Sequence, residues 1–437
     1  MKILSALILP GLWSGAALAD STVGSGSGLN SGDTAWMLTA TALVLFMTLP
    51  GLALFYGGLV RAKNVLSVLM QCFAITCVVS VLWVVCLYSL IFSAGGPFIG
   101  DLAKAFMNGV NEQAMTGDVP ESVYSMFQLT FAIITPALVV GGFAERMKFS
   151  AMLIFTVLWS LAVYAPVCHW VWAPEGWLFK RGLLDYAGGT VVHITAGTAA
   201  LVAALMLGRR KGFPHTPMMP HNMTMTVTGA GMLWVGWFGF NGGSALSANG
   251  HAGMAVMATH IAAAAGAISW SVMEWIKYRK PSVLGIVTGM VAGLGTITAA
   301  SGYVGPGGAL LIGLIAGFVC FNATHLIKRK FHVDDSLDVF PVHGVGGIIG
   351  TLMAGFFASG ALGVFSGQGY ASGMNMNSQI GVQVLGVLAT GTYTLVGTVV
   401  LLKLVDFMVG LRVSDEHEYM GLDTAEHNER GYDLGQL

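Results

Sequence analysis

Two histidines in apolar stretches of the sequence are each preceded by an aspartate at the same distance. Asp185 lies eight residues before His193, and Asp335 lies eight residues before His343. A neutral imidazole can both donate and accept a hydrogen bond, and two bonded imidazoles fix each other's tautomer and can pass a proton. Eight helical residues rise about 12 Å, which reaches toward the middle of an apolar layer about 30 Å thick. The spacing predicts two imidazoles that meet in an apolar interior, although Asp338 offers a second register for the later pair.

Two other interpretations of these histidines stay open. A histidine in an apolar helix often makes a simple hydrogen bond between helices, and histidines also ligate haem or metals. A metal path would place acids or cysteines beside them, and the five cysteines are scattered singly through apolar stretches. These cysteines are typical of small core residues, and their odd number implies no disulfide framework. We expect no metal and no cofactor.

The composition predicts that membrane helices position these residues. Of 437 residues, 55% are hydrophobic and 9% are charged, against about 25% charged residues in a soluble domain. So few charges cannot solvate a soluble surface of this size, which excludes a soluble enzyme, a disordered protein and a nucleic-acid-binding protein. We therefore expect an all-α polytopic protein in a lipid bilayer. Eleven apolar stretches are long enough to span it: 35–60, 65–93, 121–143, 149–173, 187–207, 223–246, 251–276, 282–303, 306–327, 339–361 and 379–408.

The charges give an orientation for these spans. Residues 1–19, with Lys2, a short apolar run and Ala17–Leu18–Ala19, are typical of a cleaved signal peptide. An uncleaved first helix is the alternative. A flexible periplasmic segment, 20–34, follows. With the N-terminus outside, sixteen of the nineteen remaining Lys and Arg residues fall on the cytoplasmic side. This bias predicts a periplasmic N-terminus and a cytoplasmic C-terminus. Acids such as Glu145 then lie near inner helix ends, where we expect them to snorkel or to face water.

The two Asp–His units also suggest internal symmetry. The fifth span enters the membrane from outside and the tenth from inside, and five spans separate them. Such an arrangement is typical of an inverted repeat, here spans 1–5 against spans 6–10, with the eleventh span outside it.

Several longer motifs carry a resemblance to a known family. They are DYAGGTVVH at 185–193, PGLALFYGGL at 50–59, GWFGFN at 236–241, and VDD at 333–335 leading to VHG at 342–344. The sequence resembles the ammonium transporter (Amt/Rh) family, in its bacterial Amt branch, over essentially the whole mature chain. The resemblance implies an ammonium-channel domain at 35–412, a homotrimer with one pore in each subunit, and a place in the cell inner membrane and in nitrogen metabolism.

The resemblance also assigns roles at the outer end of the pore. Phe127, Trp172 and Ser244 match an outer vestibule that recruits ammonium, because aromatic faces attract cations and a hydroxyl oxygen accepts a hydrogen bond. Phe131 and Phe240 match a stacked pair that closes the outer end of the pore. Taken alone, each aromatic residue is more often explained by core packing or by an interfacial belt.

The remaining roles concern the pore itself. His193 and His343 match a pair of pore histidines, Trp237 lines the pore, and Asp185 supports deprotonation beneath the vestibule. A simple helix N-cap is a compatible interpretation of Asp185. A charged ion is costly to move through a dry apolar pore, whereas ammonium can lose a proton and cross as ammonia. Methylammonium is the expected analogue, and K⁺, which has no proton to lose, is expected to be rejected.

Three alternatives differ in function class. A non-selective monovalent cation channel would need a filter, and no TVGYG-like loop occurs. An ammonium sensor with little flux would use the same pore, but a tail of 25 residues is short for a signalling domain. An enzyme is disfavoured, because Gly305-x-Gly307-Gly308 lacks the strand-to-helix context of a nucleotide loop.

The last segment, 413–437, is an acidic tail. Gly421-Leu422-Asp423 resembles the core of the family's cytoplasmic regulatory tail, which implies a PII-type signal protein as a partner at the cytoplasmic face. A solvated, disordered end is the alternative.

Overall fold

The computed structural model describes residues 28–432. The predicted signal peptide, residues 20–27 of the predicted flexible segment and residues 433–437 of the tail lie outside this range. The first helix begins at Ser31, because the side-chain oxygen of Asn30 accepts a hydrogen bond from the Asp33 N–H at 3.1 Å and caps the first turn. Residues 31–34 of the predicted flexible segment thus form the first turn of this helix.

Thirteen helices form within the described residues, and most contain long apolar runs. They are α1 Ser31–Leu59, α2 Ala62–Phe92, α3 Glu121–Phe143, α4 Phe149–Trp172, α5 Gly189–Leu207, α6 Met223–Gly243, α7 Gly250–Tyr278, α8 Val283–Ile297, α9 Pro306–Lys330, α10 Phe340–Phe357, α11 Met376–Val409, α12 Asp415–Met420 and α13 Leu422–His427. Two short strands, β1 Met115–Thr116 and β2 Val119–Pro120, form an antiparallel pair between α2 and α3.

Nine of the described helices are long and apolar enough to cross a membrane, namely α1–α5, α7, α9, α10 and α11. Helices α6 and α8, of 21 and 15 residues, lie at the two other predicted stretches. The predicted all-α architecture with long apolar helices is thus confirmed, and the number of eleven spans stays a prediction. The β1–β2 pair is a local departure from it that the apolar pattern did not predict.

Burial separates the centre of the bundle from its surface. Helix α3 is buried along nearly its whole length, whereas α11 leaves most of its surface exposed. The exposed side chains on α11 include Leu388, Val400 and Phe407. An apolar exposed face of this kind is typical of a helix that faces lipid.

Glycines let α5 and α10 cross in backbone contact at the centre of the bundle. A Cβ atom added to Gly197 would collide with the backbone of Gly344. One added to Gly347 would lie 2.9 Å from the Cβ atom of His193. Small residues allow such close helix approach, and this crossing lies beside both histidines.

The C-terminal helices pack against one end of the bundle, which we call the tail face. The Leu422 N–H donates to Asn64 Oδ1 at 2.8 Å, and the Ser67 N–H donates to Asp423 Oδ1 at 2.7 Å. Leu422 and Asp423 are both buried. The opposite end, which carries residues 93–120 and 358–375, is called the loop face.

A buried charge network fixes the tail face. Glu145 accepts from Arg61 Nε at 3.1 Å and from Arg210 Nη1 at 2.7 Å, and Arg210 also pairs with Asp334 at 2.7 Å. Burial alone raises the pKa of Glu145, but the Arg210 and Arg61 guanidinium groups outweigh it and lower that pKa to about 2. Glu145 is 1% exposed. The expectation that it faces water is wrong, because two arginines neutralise it inside the protein.

Candidate functional site

The structure brings His193 and His343 together in the interior. Their Nδ1 atoms are 3.2 Å apart, the ring centroids are 5.2 Å apart and the ring planes differ by 22°. Both side chains are buried. Because one Nδ1 must donate and the other accept, each imidazole fixes the tautomer of the other.

Each histidine lies in a wide π-helical turn at the start of its helix. These turns are Gly189–Ile194 in α5 and Phe340–Gly344 in α10. A π turn inserts an extra residue into the helical repeat and is frequent at functional sites. The two turns place the imidazoles at corresponding points of two helices.

Asp185 caps the start of α5. Its Oδ1 accepts from the N–H groups of Gly188 and Gly189 at 2.9 and 2.5 Å. Its Oδ2 accepts from the N–H groups of Thr190 and Val191 at 2.9 and 3.1 Å and also from the Thr190 hydroxyl. These groups would otherwise lack acceptors at the helix N-terminus. A buried carboxylate thus adds negative charge directly beneath the loop face.

At the start of α10, Asp335 is the capping residue. Its Oδ2 accepts from the Phe340 N–H at 2.7 Å. Asp338 instead forms an ion pair with Lys328 at 2.8 Å. The alternative register based on Asp338 is therefore wrong, and the eight-residue spacing holds at both helix starts.

A column of aromatic rings leads from the loop face to the histidines. The centroids of Phe127 and Phe131 are 5.0 Å apart, and those of Phe131 and Phe240 are 4.4 Å apart. The Phe240 ring is nearly parallel to that of His193 at 6.2 Å, and Trp237 stacks on His193 at 5.7 Å. Phe131 and Phe240 fill the space above the histidine pair.

The other predicted vestibule residues lie at the top of this column. The centroids of Trp172 and Phe131 are 5.5 Å apart, and Trp172 Nε1 donates to the Asp185 carbonyl oxygen at 3.0 Å. Ser244 is half-buried, and its hydroxyl donates to the Phe240 carbonyl oxygen at 2.8 Å. Because its proton is used in that bond, the Ser244 oxygen is left to accept. Aromatic faces and an acceptor oxygen suit a small cation that carries N–H donors.

Two cavities follow one another below the aromatic column. The first has a volume of about 10 Å³, close to the room that a single water-sized molecule needs. It is lined by Met47, Leu52, Phe55, Ile134, Leu138, Val192, His193, Leu233, Trp237, Phe240, Val291 and His343. The second has a volume of about 320 Å³, lies toward the tail face and shares Phe55, Val291 and His343 with the first.

Polar residues that the sequence did not single out also support the site. Thr298 accepts from Trp237 Nε1 at 2.9 Å and so fixes the indole beside His193. Gln383 on α11 bonds to the backbone of Leu184, immediately before Asp185. The signal available in the sequence was a glutamine inside an apolar stretch, since such residues often bond across membrane helices.

Within residues 28–432, no group of three or more His, Cys, Asp or Glu side chains has the arrangement of a metal site. The cysteines are free thiols, and Cys72, Cys168 and Cys320 among them are buried.

Comparison with known proteins identifies the family. The model described as the Ammonium Transporter Family matches residues 35–432. The chain belongs to the ammonium transporter family. An ammonium transporter of Aquifex aeolicus is 47% identical over 412 residues, which are 93% of this chain and 94% of the relative. Because this relative is named a transporter, the prediction of a transport protein rather than an enzyme is confirmed.

Solved structures share the fold of this ammonium transporter family member. Mep2 of Saccharomyces cerevisiae superposes with a TM-score of 0.82 at 36% identity, over 89% of this chain and 88% of that one. A structure described as a sensor Amt protein gives a TM-score of 0.84 at 30% identity, over 91% of this chain and 98% of that one.

Proposed function

We propose that this protein recruits ammonium at the loop face, removes a proton and conducts ammonia past the histidine pair to the tail face. The observation that carries the proposal is the apolar cavity of about 10 Å³ beside two hydrogen-bonded imidazoles. A cavity of this size suits one small molecule, and the two imidazoles in its otherwise apolar lining suit a neutral molecule that both donates and accepts hydrogen bonds.

Recruitment uses the aromatic vestibule. The faces of Phe127 and Trp172 attract the cation, and the Ser244 oxygen accepts one of its N–H groups. The Asp185 carboxylate lies below, with both oxygens engaged by backbone N–H groups. Its charge favours a cation nearby, while its hydrogen bonds keep it from binding that cation directly.

Proton loss precedes entry into the pore: one N–H bond of ammonium breaks, nitrogen keeps the electron pair, and water at the loop face takes the proton. A full cation in the apolar cavity would cost several kcal/mol or more, whereas neutral ammonia avoids that cost. Phe131 and Phe240 exclude bulk water above the histidines. His193 and His343 offer ammonia both a donor and an acceptor along the way. K⁺ has no proton to lose and is rejected at this step.

The membrane arrangement we propose has eleven spans, α1–α11, in an inverted repeat of spans 1–5 and 6–10. Its support is the pair of Asp-capped π turns, which carry the histidines at equal spacing from opposite ends of the bundle. The tail face carries most of the Lys and Arg residues and is therefore cytoplasmic. The N-terminus is periplasmic, and the membrane is the cell inner membrane.

Assembly and regulation follow from the family. A homotrimer with one pore per subunit and a PII-type signal protein bound at the tail face are part of the proposal. The tail packs on Asn64 and Ser67 through Leu422 and Asp423. Asn64 in turn donates to Glu145 at 3.0 Å, so that the packed tail is connected through Asn64 to the buried charge network beneath the pore.

Ammonium sensing is a second candidate function. The similarity to a structure described as a sensor Amt protein favours it. A sensor would bind ammonium at the same vestibule and pass little of it.

Uptake of labelled methylammonium by proteoliposomes tests the proposal. We expect saturable uptake that excess ammonium inhibits and excess K⁺ leaves unchanged. The control is Phe365→Leu, which should behave as wild type because Phe365 is an exposed residue in the 358–375 segment. Inhibition by K⁺ would indicate a cation channel. Binding of ammonium without uptake would indicate a sensor.

A further inference from the structure

Helix α11 carries two buried amides near the loop face, although most of its surface is exposed and apolar. Gln379 and Gln383 lie one helical turn apart and are 1% and 0% exposed. Gln379 Nε2 donates to the Gly182 carbonyl oxygen at 2.8 Å and to Gln383 Oε1 at 3.1 Å. A buried amide is costly unless its donors and acceptors are paired.

The Gln383 amide is fully paired. Its Oε1 accepts from the Leu184 N–H at 2.9 Å and from Gln379, and its Nε2 donates to the carbonyl oxygens of Leu184 and Thr351, each at 2.8 Å. Only one orientation of the amide matches two donors and two acceptors. Gln383 therefore binds both backbone groups of Leu184, as a neighbouring β-strand would.

These bonds connect the two histidine helices. Leu184 immediately precedes Asp185, which caps α5, and Thr351 lies on α10 eight residues after His343. A Cβ atom on Gly355 would lie 2.8 Å from Gln383 Cγ, so this glycine provides the space for the side chain. The amide ties the capping loop of α5 to α10 through a helix that carries neither histidine.

We propose that Gln383, held by Gln379, is a positioning residue. It fixes how far Asp185 lies below the loop face and, through the start of α5, where His193 lies relative to His343. The inference rests on the proposed function, because the geometry that it fixes is the path of ammonium deprotonation. It assigns α11, which lies outside the proposed repeat, a direct role in that geometry.

Gln383→Met tests the role, because methionine keeps the length and volume of glutamine and loses all four hydrogen bonds. Thr390→Val is the matched control. Thr390 is a buried polar residue on the same helix, and its hydroxyl donates to the Gly386 carbonyl oxygen within α11. The readouts are the maximal transport rate per inserted molecule and the half-saturating ammonium concentration in proteoliposomes of the full chain.

We expect the maximal rate of Gln383→Met to fall about tenfold or more, since small misplacements of reacting groups have effects of this size. The half-saturating concentration should change less than the maximal rate, because Phe127 is on α3 and Ser244 directly follows α6. Of the three recruiting residues, Trp172 is the one bonded to Asp185. Less inserted protein with a wild-type rate per molecule would overturn the proposal, because it would show a role in folding alone. If Gln383→Met does not insert into the membrane, the same measurement is made on Gln379→Met. Its maximal rate per molecule should fall less, because the bonds between Gln383 and Leu184 are kept, and an unchanged rate would overturn the proposal.

Hydrogen exchange separates this inference from the proposed function. The amides of residues 185–191 should exchange faster in Gln383→Met than in Thr390→Val or wild type. A wild-type protein that carries no ammonium would reject the proposed function, whereas unchanged exchange in Gln383→Met would reject the positioning role.

Discussion

Replacing Asp185 by Asn removes one of the two oxygens that hold the start of α5. Oδ1 accepts the N–H groups of Gly188 and Gly189, and Oδ2 accepts those of Thr190 and Val191. The asparagine amide has one oxygen, so in either orientation its NH₂ group faces two backbone donors. Each buried N–H left without an acceptor costs about 1–3 kcal/mol. Opening of the helix start should therefore become easier by about 2–6 kcal/mol.

Hydrogen exchange followed by mass spectrometry measures this change directly. A change of about 2 kcal/mol, the lower limit of this range, makes the Gly188–Val191 amides exchange about 30-fold faster than in wild type. Transport should fall in parallel, because His193 is two residues beyond Val191. Asp101→Asn is the control, since exposed Asp101 accepts one backbone N–H, from Ala103, at 2.9 Å on the same face. Wild-type exchange in Asp185→Asn would refute the capping role, and faster exchange with full transport would refute its link to conduction.

Three further changes probe the tail face and the aromatic column. Glu145→Gln should lower the free energy of unfolding by about 3 kcal/mol at pH 7, because this carboxyl's pKa is lowered to about 2. Wild type should lose that contribution as the pH falls below about 4.5. Titration with SDS in mixed micelles measures both effects, and Glu175→Gln, at an exposed ion pair, should change little. Asp423→Asn should speed tryptic cleavage of the tail, because the Ser67 N–H loses a charged acceptor. Asp415→Asn is the control and should leave the cleavage rate unchanged, because Asp415 forms an exposed pair with Lys211. Phe131→Ala should raise the water permeability of proteoliposomes, and stopped-flow light scattering that shows no increase would contradict a sealing role.

The place of each histidine beyond its aspartate was predictable from the sequence because that spacing is local. An aspartate that begins a helix and a histidine eight residues later are related by the helical rise alone. Apolar stretches and the positions of Lys and Arg predicted the helices for a similar reason, since each depends on neighbouring residues. The family motifs then pointed to Phe127, Phe131 and Phe240, which the structure places in one column.

Contacts between distant parts of the chain were not predictable in this way. Gln383 bonds to Leu184, 199 residues away, and no local pattern specifies such a partner. Glu145 was expected to face water because a membrane-edge acid usually does, whereas Arg61 and Arg210 enclose it. Asp338 and Asp335 both fit the start of the second Asp–His unit by sequence, and the ion pair of Asp338 with Lys328 depends on the fold.

The central claim is that ammonium is recruited as a cation, deprotonated and conducted along the histidine pair. Internal pH and charge movement, followed together in proteoliposomes after concentration jumps of ammonium, methylammonium, K⁺ or Na⁺, test it most directly, with His193→Ala and His343→Ala beside wild type. The account predicts a saturable rise of internal pH with ammonium and methylammonium that both substitutions alter, and no charge movement with K⁺ or Na⁺. Equal currents with K⁺, or responses that neither substitution changes, would contradict it.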